Sequence, residues 1–160
     1  MMTTITRSRV RLNHRVRALL LTDAGKLLLF RRLKAGLEPY WVMPGGGVES
    51  TDTSLEAALR REIREELGGA VQVIRPVFTT EHDGEGQYEG WRVRHHYYAC
   101  YLTGYDLSQR NGPEFSNPAK GQYLPDEFPL DMDVLSHLTI KTPEAKAGLL
   151  ANLHVLKRLV

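Results

Sequence analysis

The chain holds one cysteine in 160 residues, Cys100. A lone thiol excludes an intrachain disulfide and a multi-cysteine zinc site. Its neighbours Tyr97, Tyr98, Ala99, Tyr101 and Leu102 make it read as a small residue on a strand rather than a nucleophile. Long apolar runs are also missing. Nothing approaches the roughly 20 residues of a membrane-crossing helix, and the N-terminus has no apolar stretch of the secretory kind. Without an export signal or disulfides the expected location is the cytoplasm. Charge of one sign is scarce too. The net charge of +2 does not by itself point to nucleic acid. Repeats, low-complexity tracts and interdomain linkers are lacking. What remains is 42% apolar and 25% charged, an ordinary globular balance. One domain spanning residues 1–160, with a core of its own, is the expectation.

Hydrophobic patterning orders the elements. Residues 18–21 and 27–30 are apolar runs flanking the turn residues Asp23, Ala24 and Gly25, which predicts a hairpin over residues 16–30. Its continuous apolar character suggests strands covered on both faces. Residues 40–43 read as a short strand, broken by Pro44 and the triple glycine Gly45, Gly46 and Gly47. A helix is predicted over Leu55–Leu67, with N-cap candidates from Ser50 to Ser54 and a stop at Gly68 and Gly69. Residues 71–80 and 93–102 read as strands, and residues 81–90 as a polar loop. Residues 104–129 read as one long irregular segment. A last helix starts at Thr142 and Pro143 and carries the stripe Leu149, Leu153, Leu156 and Val160. Strands, helix, strands, helix suggest an α/β/α sandwich around a mixed central sheet. Arg7, Arg9, Arg11, Arg15 and Arg17 alternate with other residues, as on the solvated face of a strand, which is the preferred reading; contact of this basic strand with phosphates is the alternative.

The chemistry concentrates in residues 45–69, GGGVESTDTSLEAALRREIREELGG. Glu62, Glu65 and Glu66 stand at i, i+3 and i+4, so they share one sector of the helix. The apolar stripe of Leu59, Ile63 and Leu67 lies beside them. Carboxylates crowded near the packed side repel one another, and partial burial raises the cost. A hard divalent cation relieves it: Mg²⁺ takes oxygen ligands and keeps waters for substrate phosphates. The glycines before the helix permit close backbone approach to a metal or a phosphate. The same wording also suits a salt-bridged surface helix, since Glu56 and Arg60, and Arg61 and Glu65, are i, i+4 pairs.

The segment resembles the Nudix box, G-x5-E-x7-R-E-U-x-E-E-x-G-U, where U is a bulky apolar residue. The match runs through Arg61, Glu62, Ile63, Arg64, Glu65, Glu66, Leu67 and Gly68, and the lead-in Trp41, Val42, Met43, Pro44, Gly45, Gly46 is similar as well. Two positions depart. The first glutamate falls on Thr53 counting back from Arg61, or on Asp52 counting forward from Gly46. Asp52 is preferred because it keeps the carboxylate and a loop tolerates an extra residue. The final apolar position is Gly69, so Ala70 and Val71 are the expected substitutes in packing. The resemblance implies a Nudix fold, Mg²⁺ or Mn²⁺, and hydrolysis of the pyrophosphate linkage of a nucleoside diphosphate joined to another group. It implies that Glu62, Glu65 and Glu66 bind the metal, with Glu62 or Glu65 taking part in catalysis. It also implies that Arg61 orients a glutamate and that a backbone carbonyl at Gly45 or Gly46 is a further ligand.

Outside the box, Glu81, Asp83, Glu85, Glu89 and Glu114 are candidates for an additional ligand or base, with Glu81 preferred. Arg31 and Arg32 are candidates for substrate phosphates. Arg110 and Lys120 in the long segment are further ones, with Phe115 there for stacking. His95 and His96 point to opposite faces of a strand. Phe78, Trp91 and Tyr98 are stacking or core aromatics. The expected partner is a small nucleotide, with a capped or triphosphate RNA end as the one nucleic-acid option. A non-catalytic nucleotide- or RNA-binding module of the same fold is the rival reading.

Overall fold

A computed structural model describes residues 9–160. Its strands are β1 (Leu12–Leu21), β2 (Leu27–Leu33), β3 (Tyr40–Val42), β4 (Gly45–Gly47), β5 (Val71–Asp83), β6 (Arg92–Leu102) and β7 (Gln122–Phe128). The helices are α1 (Leu55–Leu67), α2 (Met132–Ser136), α3 (Pro143–Ala151) and α4 (Leu153–Lys157). The strands form one mixed sheet in the order β3-β2-β1-β6-β5, with β4 on β1 and β7 on β2. β1 and β6 run parallel, and the other pairs are antiparallel.

The central strands are apolar on both faces because a helical layer covers each. Leu19, Leu21, Leu27 and Leu29 pack with Leu135, Leu149, Leu153 and Leu156 of α2–α4. Val16, Ala18, Leu20, Leu28 and Phe30 pack with Leu59, Ile63 and Leu67 of α1. Alternation along β1 and β2 therefore sends successive leucines into two cores. The expected α/β/α sandwich is what forms. Cys100 is fully buried in the second core, and burial pushes its thiol up to about 12. None of the described helices is long and apolar enough to cross a membrane.

Several expectations need correction. The segment 104–129 is not irregular throughout: its last part is β7, which pairs with β2 from Leu27↔Phe128 to Leu33↔Gln122. Pro125 hid this strand, but β7 is an edge, where a missing N–H costs little. The 81–90 loop is shorter than expected, since β5 runs on to Asp83. The last helix breaks at Asn152 into α3 and α4, and Val160 is 58% exposed instead of completing the stripe. Ala70 is exposed, so only Val71 supplies packing after the box.

One feature of the sheet positions the site. β1 pairs with β2 only at Leu20↔Leu28 and Leu21↔Leu27. Nearer its start, Arg15, Val16 and Arg17 pair with the glycines of β4 instead. Beyond Phe30, β2 is flanked by β3 and β7. The sheet thus parts between β1 and β2, and α1 runs beneath the opening.

Candidate active site

The opening is a cleft of about 480 Å³. Arg15 and Arg17 of β1 line one wall, and Arg32 of β2 and Tyr123 of β7 line the other. Gly45, Gly46 and Gly47 lie between them with Glu62 and Glu66, and Glu114, Asn117 and Lys120 reach in from the segment before β7.

α1 brings the carboxylates there. Ser54 caps it, its hydroxyl accepting from Ala57 N at 3.0 Å. Gly68 closes it in a left-handed conformation, its N–H donating to Arg64 O. Glu62 and Glu66, one turn apart, are both buried. Gly45 N–H donates to Glu66 Oε1 at 2.8 Å. Burial, then the neighbouring Glu62, raises the proton affinity of Glu66 well above the carboxylate norm. Burial likewise raises that of Glu62, opposed by Arg61. Both groups are therefore poised to gain from a cation. The glycine strand must be bare to let them in: a Cβ on Gly46 would stand 2.5 Å from Glu62 Oε1.

Arg61 ties the box together. It donates from Nε to Asp52 Oδ1 at 3.0 Å and from Nη2 to Asp52 Oδ2 at 2.9 Å, a bidentate pair. Nη2 also donates to Gly47 O at 2.8 Å, and Nη1 to Glu62 at 3.1 Å and Glu65 at 3.3 Å. The hydrogen bonds from Arg61 hold the Asp52 carboxyl below its usual range, and Asp52 in turn raises the arginine. Asp52, not Thr53, thus occupies the place of the box's first acid. Gly69 has an equally local cause. The carbonyl of Gly104 would lie 2.6 Å from a Cβ there, so the bulky apolar residue has no room.

The segment after β6 docks on the C-terminal end of α1. Asp106 N–H donates to Leu67 O at 3.0 Å, Asn111 N–H to Glu65 O at 3.2 Å, and Arg110 Nε to Glu66 O at 2.6 Å. It satisfies carbonyls that a helix end leaves open and delivers Glu114 opposite Glu62 and Glu66. Arg110, expected at phosphate, is spent on this docking and stacks on Phe115 at 4.6 Å.

The other candidates divide. Arg32 is buried, stacks on Tyr123 at 3.5 Å and donates to Lys120 O. Arg31 pairs with Asp126 at 3.1 Å, outside the cleft. Glu81 is held by Arg94 and Arg92 on the exposed sheet edge and does not line the cleft. Glu65 sits at the rim on Arg61. Phe78 stacks on Tyr97 at 4.2 Å, Trp91 meets Tyr88 and Arg11, and Tyr98 is in the second core. Arg15 and Arg17 follow the less favoured of the two readings of the basic strand: they do not lie on a solvated face but are partly buried and line the cleft. Arg9 and Arg11 are exposed, and Arg7 lies outside the described residues.

The NUDIX domain model matches residues 12–135. The chain belongs to the Nudix family. A nudix hydrolase relative from Caenorhabditis elegans is 33% identical over 98 residues, which is 59% of this chain and 25% of the relative. The chain thus spans about a quarter of that protein's length. A NUDIX hydrolase structure from Nitrosomonas europaea aligns with TM-score 0.67 and 18% identity over 92% of this chain and 91% of the other. A MutT NUDIX hydrolase from Burkholderia pseudomallei gives TM-score 0.55 and 24% identity over 76% and 85%. A UDP-X diphosphatase gives 0.62 and 20% over 95% and 67%. At these identities the structural matches establish the Nudix fold. Nudix hydrolases in general use divalent metals and small nucleotide substrates.

Among the described residues, no group of three or more acidic, histidine or cysteine side chains is drawn close enough to enclose an ion unaided. Two buried carboxylates opening on a cationic cleft still suit Mg²⁺, which binds through one or two carboxylates and completes its shell with water and substrate phosphates.

Proposed function

We propose that this Nudix domain hydrolyses the pyrophosphate linkage of a nucleoside diphosphate joined to another moiety, with Mg²⁺ or Mn²⁺. The observation that carries the reading is the charge layout of the cleft: buried Glu62 and Glu66 with Glu114 opposite, bordered by Arg15, Arg17, Arg32 and Lys120. Carboxylates alone would repel a pyrophosphate, and arginines alone would bind it without chemistry. Together they describe a metal side and a phosphate side.

Glu62 and Glu66 would hold the cation, with Glu65 at the rim, a backbone carbonyl of Gly45 or Gly46 and Glu114 as further oxygen donors. The bound ion supplies charge neutralisation at the phosphoryl oxygens and a more acidic water. Where Glu62 is left free of the ion, its place beside Glu66 lets it instead take the proton of the attacking water. Arg61 keeps Glu62 and the glycine strand in register. The arginines of the cleft walls and Lys120 hold the phosphates in line and receive the charge of the leaving group. Arg31 and Glu81 are given no role. The similarity to a UDP-X diphosphatase makes nucleotide sugars one class to test, beside nucleoside triphosphates, dinucleoside polyphosphates and capped RNA ends.

The test is a hydrolysis screen over those classes with Mg²⁺ and with Mn²⁺, reading released nucleoside monophosphate and phosphate. The expected result is metal-dependent turnover abolished by chelator. Nucleotide binding by calorimetry with no turnover on any class would instead support a binding module.

A further inference from the structure

Arg17 does more than line the cleft. Its Nη1 donates to Met43 O and to Gly45 O, each at 3.3 Å. It thereby grips the chain on both sides of Pro44, where β4 begins. The N–H of the same Gly45 holds Glu66. Arg17 Nε donates to His95 Nδ1 at 3.4 Å, and His95 Nε2 lies 2.9 Å from His82 Nε2. His82 Nδ1 lies 2.8 Å from Asp83 O.

The proton positions along this row follow from chemistry. A carbonyl only accepts, so His82 Nδ1 carries a hydrogen. An arginine only donates, so His95 Nδ1 is bare. A neutral His95 then carries its hydrogen on Nε2 and donates to a bare His82 Nε2. Both ends of the row demand the same tautomers. Burial, then Arg17 and Arg15, lowers His95 to about 3, so it stays a neutral acceptor. On β6 it faces Arg17 across the parallel pair of β1 and β6, the side opposite His96.

We infer that His95 is a positioning residue, acting through Arg17 to fix the Gly45 turn and so the carboxylate of Glu66, with His82 fixing the tautomer of His95. His95 touches neither the carboxylates nor the space for substrate. Without its acceptor, Arg17 loses the contact that orients its guanidinium plane, and Gly45 loses a fixed partner. Asparagine at 95 places Oδ1 near the position of Nδ1 and keeps an acceptor for Arg17. Leucine fills similar space and keeps none.

The catalytic arm of the test rests on the hydrolase reading above; the spectroscopic arm does not. In the folded chain, ¹⁵N imidazole shifts are expected to show His95 protonated on Nε2 and His82 on Nδ1, and His82→Ala is expected to populate both tautomers of His95. With the best substrate and Mg²⁺, His95→Leu should lower kcat on the order of tenfold, the usual scale for a group supporting a metal ligand, with a smaller change in KM. His95→Asn should recover most of that loss. A His95 found protonated on Nδ1 overturns the inference, as does equal activity of the leucine and asparagine variants. If the wild-type chain hydrolyses nothing, the hydrolase reading fails while the tautomer measurement still decides the row. If His95→Leu does not fold, the tautomers and the comparison of His95→Asn with wild type remain decisive.

Discussion

Arg61 shows how much one side chain can organise. Five acceptors converge on it: both Asp52 oxygens, Gly47 O, Glu62 and Glu65. Lysine keeps the charge but cannot reproduce the planar fork. Arg61→Lys is therefore expected to lose at least about tenfold in kcat/KM, judged by the scale on which such supporting partners matter. A wild-type rate in that variant would reduce Arg61 to a surface partner of Glu65. Glu66 makes the opposite case, since under the proposed function it is a metal ligand held at a cost to stability. Its ionised form is disfavoured by burial and by Glu62. Glu66→Gln keeps an oxygen for Gly45 N–H and removes the charge. In chelator its Tm should rise, by about 2–4 °C for each kcal/mol relieved in a chain of this size, while turnover falls by orders of magnitude. A lower Tm with unchanged turnover would remove Glu66 from the site.

At the scale of elements, what periodicity and caps control was readable. α1 was legible to the residue, because Ser54, the leucine stripe and Gly68 are local signals. β1, β2 and the double-sided core were legible from unbroken apolar runs. β7 was not, since its pairing is with β2, nearly a hundred residues away in sequence, and Pro125 argues against a strand locally. The cationic walls were legible only in part: Arg32 and Lys120 were candidates for phosphate, but nothing local favoured Arg15 and Arg17 over a solvated face, because they reach the cleft only where β4 displaces β2 from β1. Asp52 was readable through the box resemblance, whereas Glu114 stood among five acids until the docking of its segment on α1 separated it from Glu81. That docking is testable. Gly69→Val forces a side chain against Gly104 O and should destabilise the fold by about 1–3 kcal/mol, the usual cost of overpacking. Chemical denaturation with an unchanged midpoint would show that the segment yields freely. Arg110→Ala should loosen the same contact, and it should lower kcat/KM more for the best substrate than for a poor one if Glu114 and Lys120 then lose their places.

The whole molecule carries the pH signature of its cleft. Glu62 and Glu66 both have folded-state proton affinities above the ordinary carboxylate value of about 4.3. Between that value and their raised ones, the metal-free folded state binds more protons than the unfolded state, so stability falls as pH rises. Asp52, held low by Arg61, acts in the other direction: its contribution is present above its ordinary value and is lost as acid reaches its folded one. In chelator the Tm should therefore peak on the acidic side of neutrality, and saturating Mg²⁺ should move the peak towards higher pH. A Tm profile in chelator that rises steadily from about pH 5 to 8 would contradict the linkage. The parting of the sheet also bears on how the protein comes into being. Its carboxylates lie on one local helix, but the walls need β1 beside β6, a parallel pair joined through some seventy intervening residues, and β2 beside β7. Such distant pairings form slowly because the chain must first close long loops. A chain still being synthesised would hold its acidic helix first, the Arg15 and Arg17 wall once β6 has emerged, and the Arg32 and Tyr123 wall only with β7, so premature termination before β7 leaves a polypeptide with the box intact and half a cleft.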